Sequence, residues 1–105
     1  MEFIAANTGS QTLYIEKDRI TAIVEKPVIH KVPGADEKVA GLSRYEGRLA
    51  VYLYMEEKIQ CECGVLLDTG KKILYGITAR DVGVEDIDPA LLSAVMAGVW
   101  VMRSD

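Results

Sequence analysis

A single histidine, two cysteines and one tryptophan occur in 105 residues, and each scarcity narrows what the chain can do. With only His30 available, an acid–base or nucleophilic site has no evident partner. Ser10, Ser43, Ser93 and Ser104 fall in no G-x-S-x-G elbow. Cys61, Cys63 and His30 offer at most three metal ligands with C-x-C spacing, whereas a structural zinc takes four, commonly with C-x-x-C spacing. A disulfide between the two cysteines is disfavoured, because alternate strand positions hold their side chains parallel. Two reduced thiols in a cytoplasmic protein are expected.

Basic charge is also short. Twelve Lys and Arg face sixteen Asp and Glu, for a net charge of -4, and no basic run exceeds the pair Lys71-Lys72. That balance argues against nucleic acid as a partner. The acidic stretch Asp81, Glu85, Asp86 and Asp88 lacks the ligand alternation and glycine of a calcium loop, and is expected to be a solvated loop. Gly64, Gly70 and Gly76 match no nucleotide-binding fingerprint and suit turns or close packing in strands. No cofactor is indicated. The longest apolar stretch, Ala94 to Met102, is about half the roughly 18 residues of a membrane span. Residues 1–15 lack a basic start and a long apolar run, so neither a signal peptide nor membrane insertion is expected.

What remains is enough for one core. Half of the residues are hydrophobic, a globular composition at a length that fits one domain. The apolar segments are short and closely punctuated, which predicts many strands. Glu2 to Ala6 and Gln11 to Ile15 flank Asn7-Thr8-Gly9-Ser10 and read as a hairpin. Asp18 to Glu25 reads as a short strand or a single turn before Pro27. Val28 to Val32 alternates before a turn at Pro33-Gly34, and Ala35 to Leu42 has room for one helical turn.

Arg48 to Met55 is the clearest strand, with Val51, Leu53 and Met55 on one face and Tyr52 and Tyr54 on the other. Ile59 to Leu67 and Lys72 to Ala79 form its successors, joined by a hairpin turn at Asp68-Thr69-Gly70-Lys71. Asp88-Pro89 marks a helical turn, and one strand is expected from about Ala94 to Met102.

Taken in order, several of these pieces resemble the CheW-like family of bacterial chemotaxis coupling proteins. Val32-Pro33-Gly34-Ala35 resembles the family's "VPG" turn, and Val39-Ala40-Gly41-Leu42 its "V-x-G-L" step. Glu46-Gly47-Arg48-Leu49 stands where "R-G-x-x" is usual. Gly64-Val65-Leu66-Leu67, Gly70, Gly76-Ile77 and Asp81-Val82 resemble the second-half strands, and Ala97-Gly98-Val99 a strand start. The departures are specific. Glu46 reverses the charge of the arginine associated with partner contacts, Val51 and Tyr54 replace a common proline and aspartate, and Arg80 falls at an aspartate position. The chain stops at Asp105, where relatives continue with a strand and a helix.

The resemblance implies an all-β fold of two small interlocked SH3- or OB-like β-barrels, the second truncated. It implies a non-enzymatic adaptor that links the cytoplasmic tip of a chemoreceptor to a CheA-type histidine kinase. Gly41, Leu42, Glu46, Gly47 and Arg48 then occupy the partner-binding segment, and an exposed face carrying Tyr52 and Tyr54 would extend it. Two other classes stay open. A degenerate CheW-like module could self-associate, through a bare edge near Val99 to Met102 with Trp100 as core or interface anchor. An OB-like binder of single-stranded nucleic acid could use Tyr45, Tyr52 and Tyr54 with Arg44 and Arg48.

Overall fold

The computed structural model describes residues 1–104. Ten strands form two five-stranded sheets. The first sheet has the order β8-β1-β2-β10-β9, built from β1 (Glu2–Asn7), β2 (Thr12–Glu16), β8 (Asp81–Asp86), β9 (Leu92–Met96) and β10 (Val99–Met102). The second has the order β3-β6-β7-β5-β4, from β3 (Ile20–Glu25), β4 (Val39–Tyr45), β5 (Arg48–Leu53), β6 (Cys63–Asp68) and β7 (Leu74–Ala79). The whole second sheet is thus inserted between two parts of the first. Neither sheet closes by hydrogen bonds among the described residues; each stays an open five-stranded array with two edges, the all-β, two-part architecture expected above without barrel closure.

Three clusters hold this arrangement. Ala6, Leu13, Ile15 and Val99 of the first sheet meet Val65, Leu67, Ile77 and Ala79 of the second in a shared core. Alternation on β6 and β7 turns Leu66 and Leu74 the other way, into a private cluster with Ala40, Ala50 and Tyr52. The outer face of the first sheet has its own cluster of Phe3, Ala5, Tyr14 and Leu92. There the Phe3 and Tyr14 rings meet edge to face, 6.4 Å between centroids.

Several sequence expectations hold. The first hairpin forms, with Thr8 donating its backbone N–H to Gln11 O at 3.0 Å inside the turn. The Asp68–Lys71 turn joins β6 to β7, and Gly70 supplies the positive φ it needs (+80°). Asp88 caps a single 3-10 turn, Pro89–Leu91, by accepting the Ala90 N–H at 3.0 Å. After Pro27, no strand forms over Val28 to Val32. Prolines bound that segment, and it makes one bridge, His30 to Leu42.

Other expectations are corrected. Ala35 to Leu42 holds no helical turn. Asp36 instead closes an Asx turn, its carboxylate accepting the Lys38 N–H at 2.8 Å, and β4 starts at Val39. The acidic stretch is not a loop: Asp81–Asp86 is β8, paired with β1 along its whole length. The expected strand from Ala94 to Met102 is a hairpin, because Gly98 takes φ +79° and turns the chain between β9 and β10. β10 is consequently enclosed by β2 and β9, so Val99 to Met102 is not a bare edge.

Candidate functional site

Gly41, Leu42, Glu46, Gly47 and Arg48 are brought together on the β4–β5 hairpin. Antiparallel pairing runs from Val39 opposite Leu53 to Tyr45 opposite Arg48, which leaves Glu46 and Gly47 as a two-residue tip. Both take positive φ, +47° and +80°, the signature of a type I′ turn whose twist matches the flanking strands. Gly47 meets that requirement at no cost, and Glu46 meets it as an exposed acid at the tip.

At the base of the same hairpin, Gly41 answers a different need. A Cβ there would strike the His30 carbonyl and the Ile29 side chain. The 29–30 segment lies directly on β4 at this point, exchanging two hydrogen bonds of 2.8 Å between His30 and Leu42. Leu42, Ser43, Arg44 and Leu49 line an open, mostly apolar groove of about 380 Å³ with Val28 and His30. Leu42 therefore stands inside a concavity large enough for a partner side chain, with the charged tip at one end.

Arg48 anchors the tip to the rest of the sheet. Its Nη1 donates to Asp68 Oδ2 at 2.9 Å and its Nη2 to the Lys71 carbonyl at 2.9 Å, tying the β4–β5 turn to the β6–β7 turn. The Arg48 hydrogen bond, with a second from the Gly70 N–H, holds the Asp68 carboxyl below its ordinary pKa. Both partners are exposed enough for water to screen the pair, so its main effect is on the geometry of the two turns.

The exposed tyrosine face does not exist. Tyr52 and Tyr54 do share a face, but it is the inner one. Tyr52 is only 1% exposed, at the centre of the second sheet's private cluster. Its ring lies flat over Gly64 and Gly76, and a Cβ on either would run into it. Small residues at 40, 50, 64 and 76 make the space that an aromatic of this size requires. Burial, followed by the neighbouring Cys61, pushes the Tyr52 hydroxyl up to about 12. Tyr54 and Tyr45 pack partly against the same cluster; Tyr54 lines a second groove with Pro27, Ile29, Ala40 and Ile59. Tyr52 has no surface to offer a partner, and a stacking platform for nucleic acid loses its central ring. The signal was present in the sequence, because two glycines at strand positions mark close approach by something large.

The cysteines are free. Burial raises both thiols above their ordinary pKa, Cys61 against backbone hydrogen bonds that act the other way, which favours the protonated thiol at neutral pH. Among the described residues no cluster of His, Cys, Asp or Glu is disposed to hold a metal. No helix there is long and apolar enough to cross a membrane.

No protein-family model matches the chain, and no curated protein sequence matches it. Among solved structures, the crystal structure of the scaffolding protein TtCheW from Thermoanaerobacter tengcongensis superimposes with a TM-score of 0.70 over 99% of this chain and 82% of that one, at 12% sequence identity. The fold class is therefore that of a CheW scaffold: all-β, two five-stranded sheets, one inserted into the other.

Proposed function

We propose that this chain is a non-enzymatic adaptor of the bacterial cytoplasm that couples the cytoplasmic tip of a chemoreceptor to a CheA-type histidine kinase through protein–protein contacts. The observation that carries the reading is the likeness to a CheW scaffolding protein along 99% of the chain. The β4–β5 hairpin supports it, combining a charged type I′ tip at Glu46-Gly47 with an apolar groove beside Leu42. In this reading Leu42 provides apolar contact, Glu46 sets charge preference, and Gly47 and Arg48 hold the tip in shape. Gly41 allows the 29–30 segment to close the base, Tyr54 borders the adjoining groove, and Tyr52 acts only as the core beneath.

Reversal of charge at Glu46 relative to the family pattern selects partners, because a like-charge mismatch costs more than a lost contact gains. The kinase or receptor surface that meets Glu46 is accordingly basic.

The test is a binding titration of the chain against the regulatory domain of a CheA-type kinase and, separately, a receptor cytoplasmic tip from the same organism. Dissociation constants of about 1 μM or tighter with either support the adaptor role. No binding to either at roughly hundredfold higher concentration removes it, with the fold assignment intact.

A further inference from the structure

The two ends of the second sheet differ in charge. β5 and β7 run parallel, so the β4–β5 tip and the β6–β7 turn stand at the same end. Their centres are two strand spacings apart, roughly 10 Å. Residues 44–48 and 68–72 hold four bases, Arg44, Arg48, Lys71 and Lys72, against two acids, Glu46 and Asp68. This basic surplus stands in a chain whose net charge is -4. The connections at the other end of the sheet carry the compensating acids, among them Glu56, Glu57 and Glu62.

Two of the six charges are spent inside the structure. Arg48 donates to Asp68 Oδ2 and to the Lys71 carbonyl, each at 2.9 Å, and Asp68 Oδ1 accepts the Gly70 N–H at 2.8 Å. The pair neutralises itself and ties one turn to the other. Arg44, Glu46, Lys71 and Lys72 remain. All four are exposed, and none forms an ion pair among the described residues. The 3-10 turn before β3 stands at the same end and leaves the balance unchanged, since Lys17 is paired with Glu2 and Asp18 and Arg19 offset each other.

An apolar spot lies beside these charges. Leu49 and Ile73 each stand one step before the Ala50–Leu74 pair. Leu49 is half-buried opposite Arg44, and Ile73 is 37% exposed. Leu49 also lines the groove beside Leu42, so the charged end and the groove are continuous. A small apolar centre within a charged rim is the anatomy of a protein–protein interface. The mixed rim selects the class of partner. A nucleic-acid backbone would meet Glu46 at the tip and a chain of net negative charge behind it. An acidic protein surface meets three bases and sets one basic group against Glu46.

We propose that this end of the second sheet is a composite docking platform for an acidic protein surface. Lys71 and Lys72 of the β6–β7 turn act in it together with Arg44 and Glu46 of the β4–β5 hairpin, and Arg48 is the positioning residue that fixes the two turns to each other. The platform rests on the adaptor reading and extends its contact from one turn to two.

The test titrates the full chain, at low and high salt, against the regulatory domain of a CheA-type kinase, a receptor cytoplasmic tip and a labelled single-stranded oligonucleotide. It compares the native protein with Lys71→Glu/Lys72→Glu and with Lys38→Glu/Lys58→Glu. The second pair is exposed at the opposite end of the same sheet and makes the same change in net charge. Lys71→Glu/Lys72→Glu is expected to weaken binding to at least one protein partner about tenfold or more and to lower its salt dependence. The control pair is expected to change affinity by less than about threefold. Arg48→Lys, which keeps the charge but not both bonds, is expected to weaken the same partner by a smaller factor. Far-UV circular dichroism and a thermal melt establish that each variant is folded, and the single variants Lys71→Glu and Lys72→Glu replace the double one if it is not. Equal losses in the two double variants, or no loss in either, overturn the proposal and leave the adaptor reading standing. No binding to either protein overturns both. Oligonucleotide binding that Lys71→Glu/Lys72→Glu abolishes, with protein binding intact, assigns the surface to nucleic acid and overturns the proposal.

Discussion

The two sheets have the same number of strands and opposite ways of spending their side chains. Residues 20–79, which contain the second sheet, carry eight acidic and eight basic side chains. The entire excess of negative charge therefore belongs to the rest of the chain, most visibly on β8. The second sheet packs its private core around one buried aromatic laid on two glycines. Its first-sheet counterpart spreads the same task over Phe3, Tyr14, Leu92 and a half-buried Trp100, whose Nε1 donates to Glu16 Oε2 at 3.0 Å. In the second sheet Tyr52 is the largest side chain of its cluster, with Leu66 and Leu74 beside it, whereas the first-sheet cluster divides its bulk among several aromatics.

The largest expected effect comes from removing the cluster's one fully buried aromatic. Tyr52→Ala empties the private cluster and is expected to cost about 3–5 kcal/mol in urea unfolding. Next come the glycines. Gly76→Ala forces a methyl into the Tyr52 ring and is expected to cost about 1–3 kcal/mol. Gly83→Ala on β8, where nothing lies within 4 Å of the added Cβ, is expected to be neutral or to stabilise by about 0.5–1 kcal/mol. Equal losses at Gly76 and Gly83 would erase the distinction between the sheets.

A smaller effect appears at high pH. Tyr52 titrates near 12 when folded and near the ordinary value of about 10 when unfolded. The unfolded state therefore loses its proton first, so the stabilisation is complete below about pH 10 and declines between pH 10 and 12, with a slope of at most about 1.4 kcal/mol per pH unit. Tyr14 of the first sheet, raised by burial and then by Glu85, adds a contribution of the same sign. Tyr52→Phe keeps the ring over the glycines and removes the larger part of the slope; an unchanged alkaline limb would show that Tyr52 is not the titrating group.

The smallest effect is at the hairpin base. Asp68 is depressed by Arg48, so its stabilisation is present above its unfolded pKa of about 3.9 and is lost as pH falls through the lower folded value. Arg48→Gln should flatten that acid limb slightly and loosen the tip. Amide exchange at Glu46 and Gly47, compared between the native protein and the variant, reads the loosening directly.

In the second sheet β5, β7 and the latter part of β6 are legible, because alternation and a turn glycine specify them locally, but β4 is not, and the strand expected from Ile59 begins only at Cys63. The β4–β5 tip was legible as a segment, though its type I′ geometry depends on Glu46 accepting positive φ, which composition does not announce. The orientation of β5 was not. Leu49, Val51 and Leu53 look like the buried face by hydropathy, yet they are only half-buried and Tyr52 is inside. Alternation says that two faces differ, and long-range packing on Gly64 and Gly76 decides which one is inner. β8 was hidden by its charges, since an edge strand buries little and tolerates acids that a central strand would not. The final hairpin is not legible, because Gly98 stands in an apolar run with no second turn-forming residue beside it.

The central claim, that the β4–β5 tip of a CheW-type fold is the partner-binding surface, is tested most directly by titrating native protein and Glu46→Arg side by side against the CheA-type regulatory domain and the receptor tip. The account predicts that affinity for at least one of them changes by about tenfold or more, a difference of roughly 1.4 kcal/mol, with the thermal melt unchanged. Binding that is present and identical in both proteins would contradict it, and would place the contact elsewhere on the molecule.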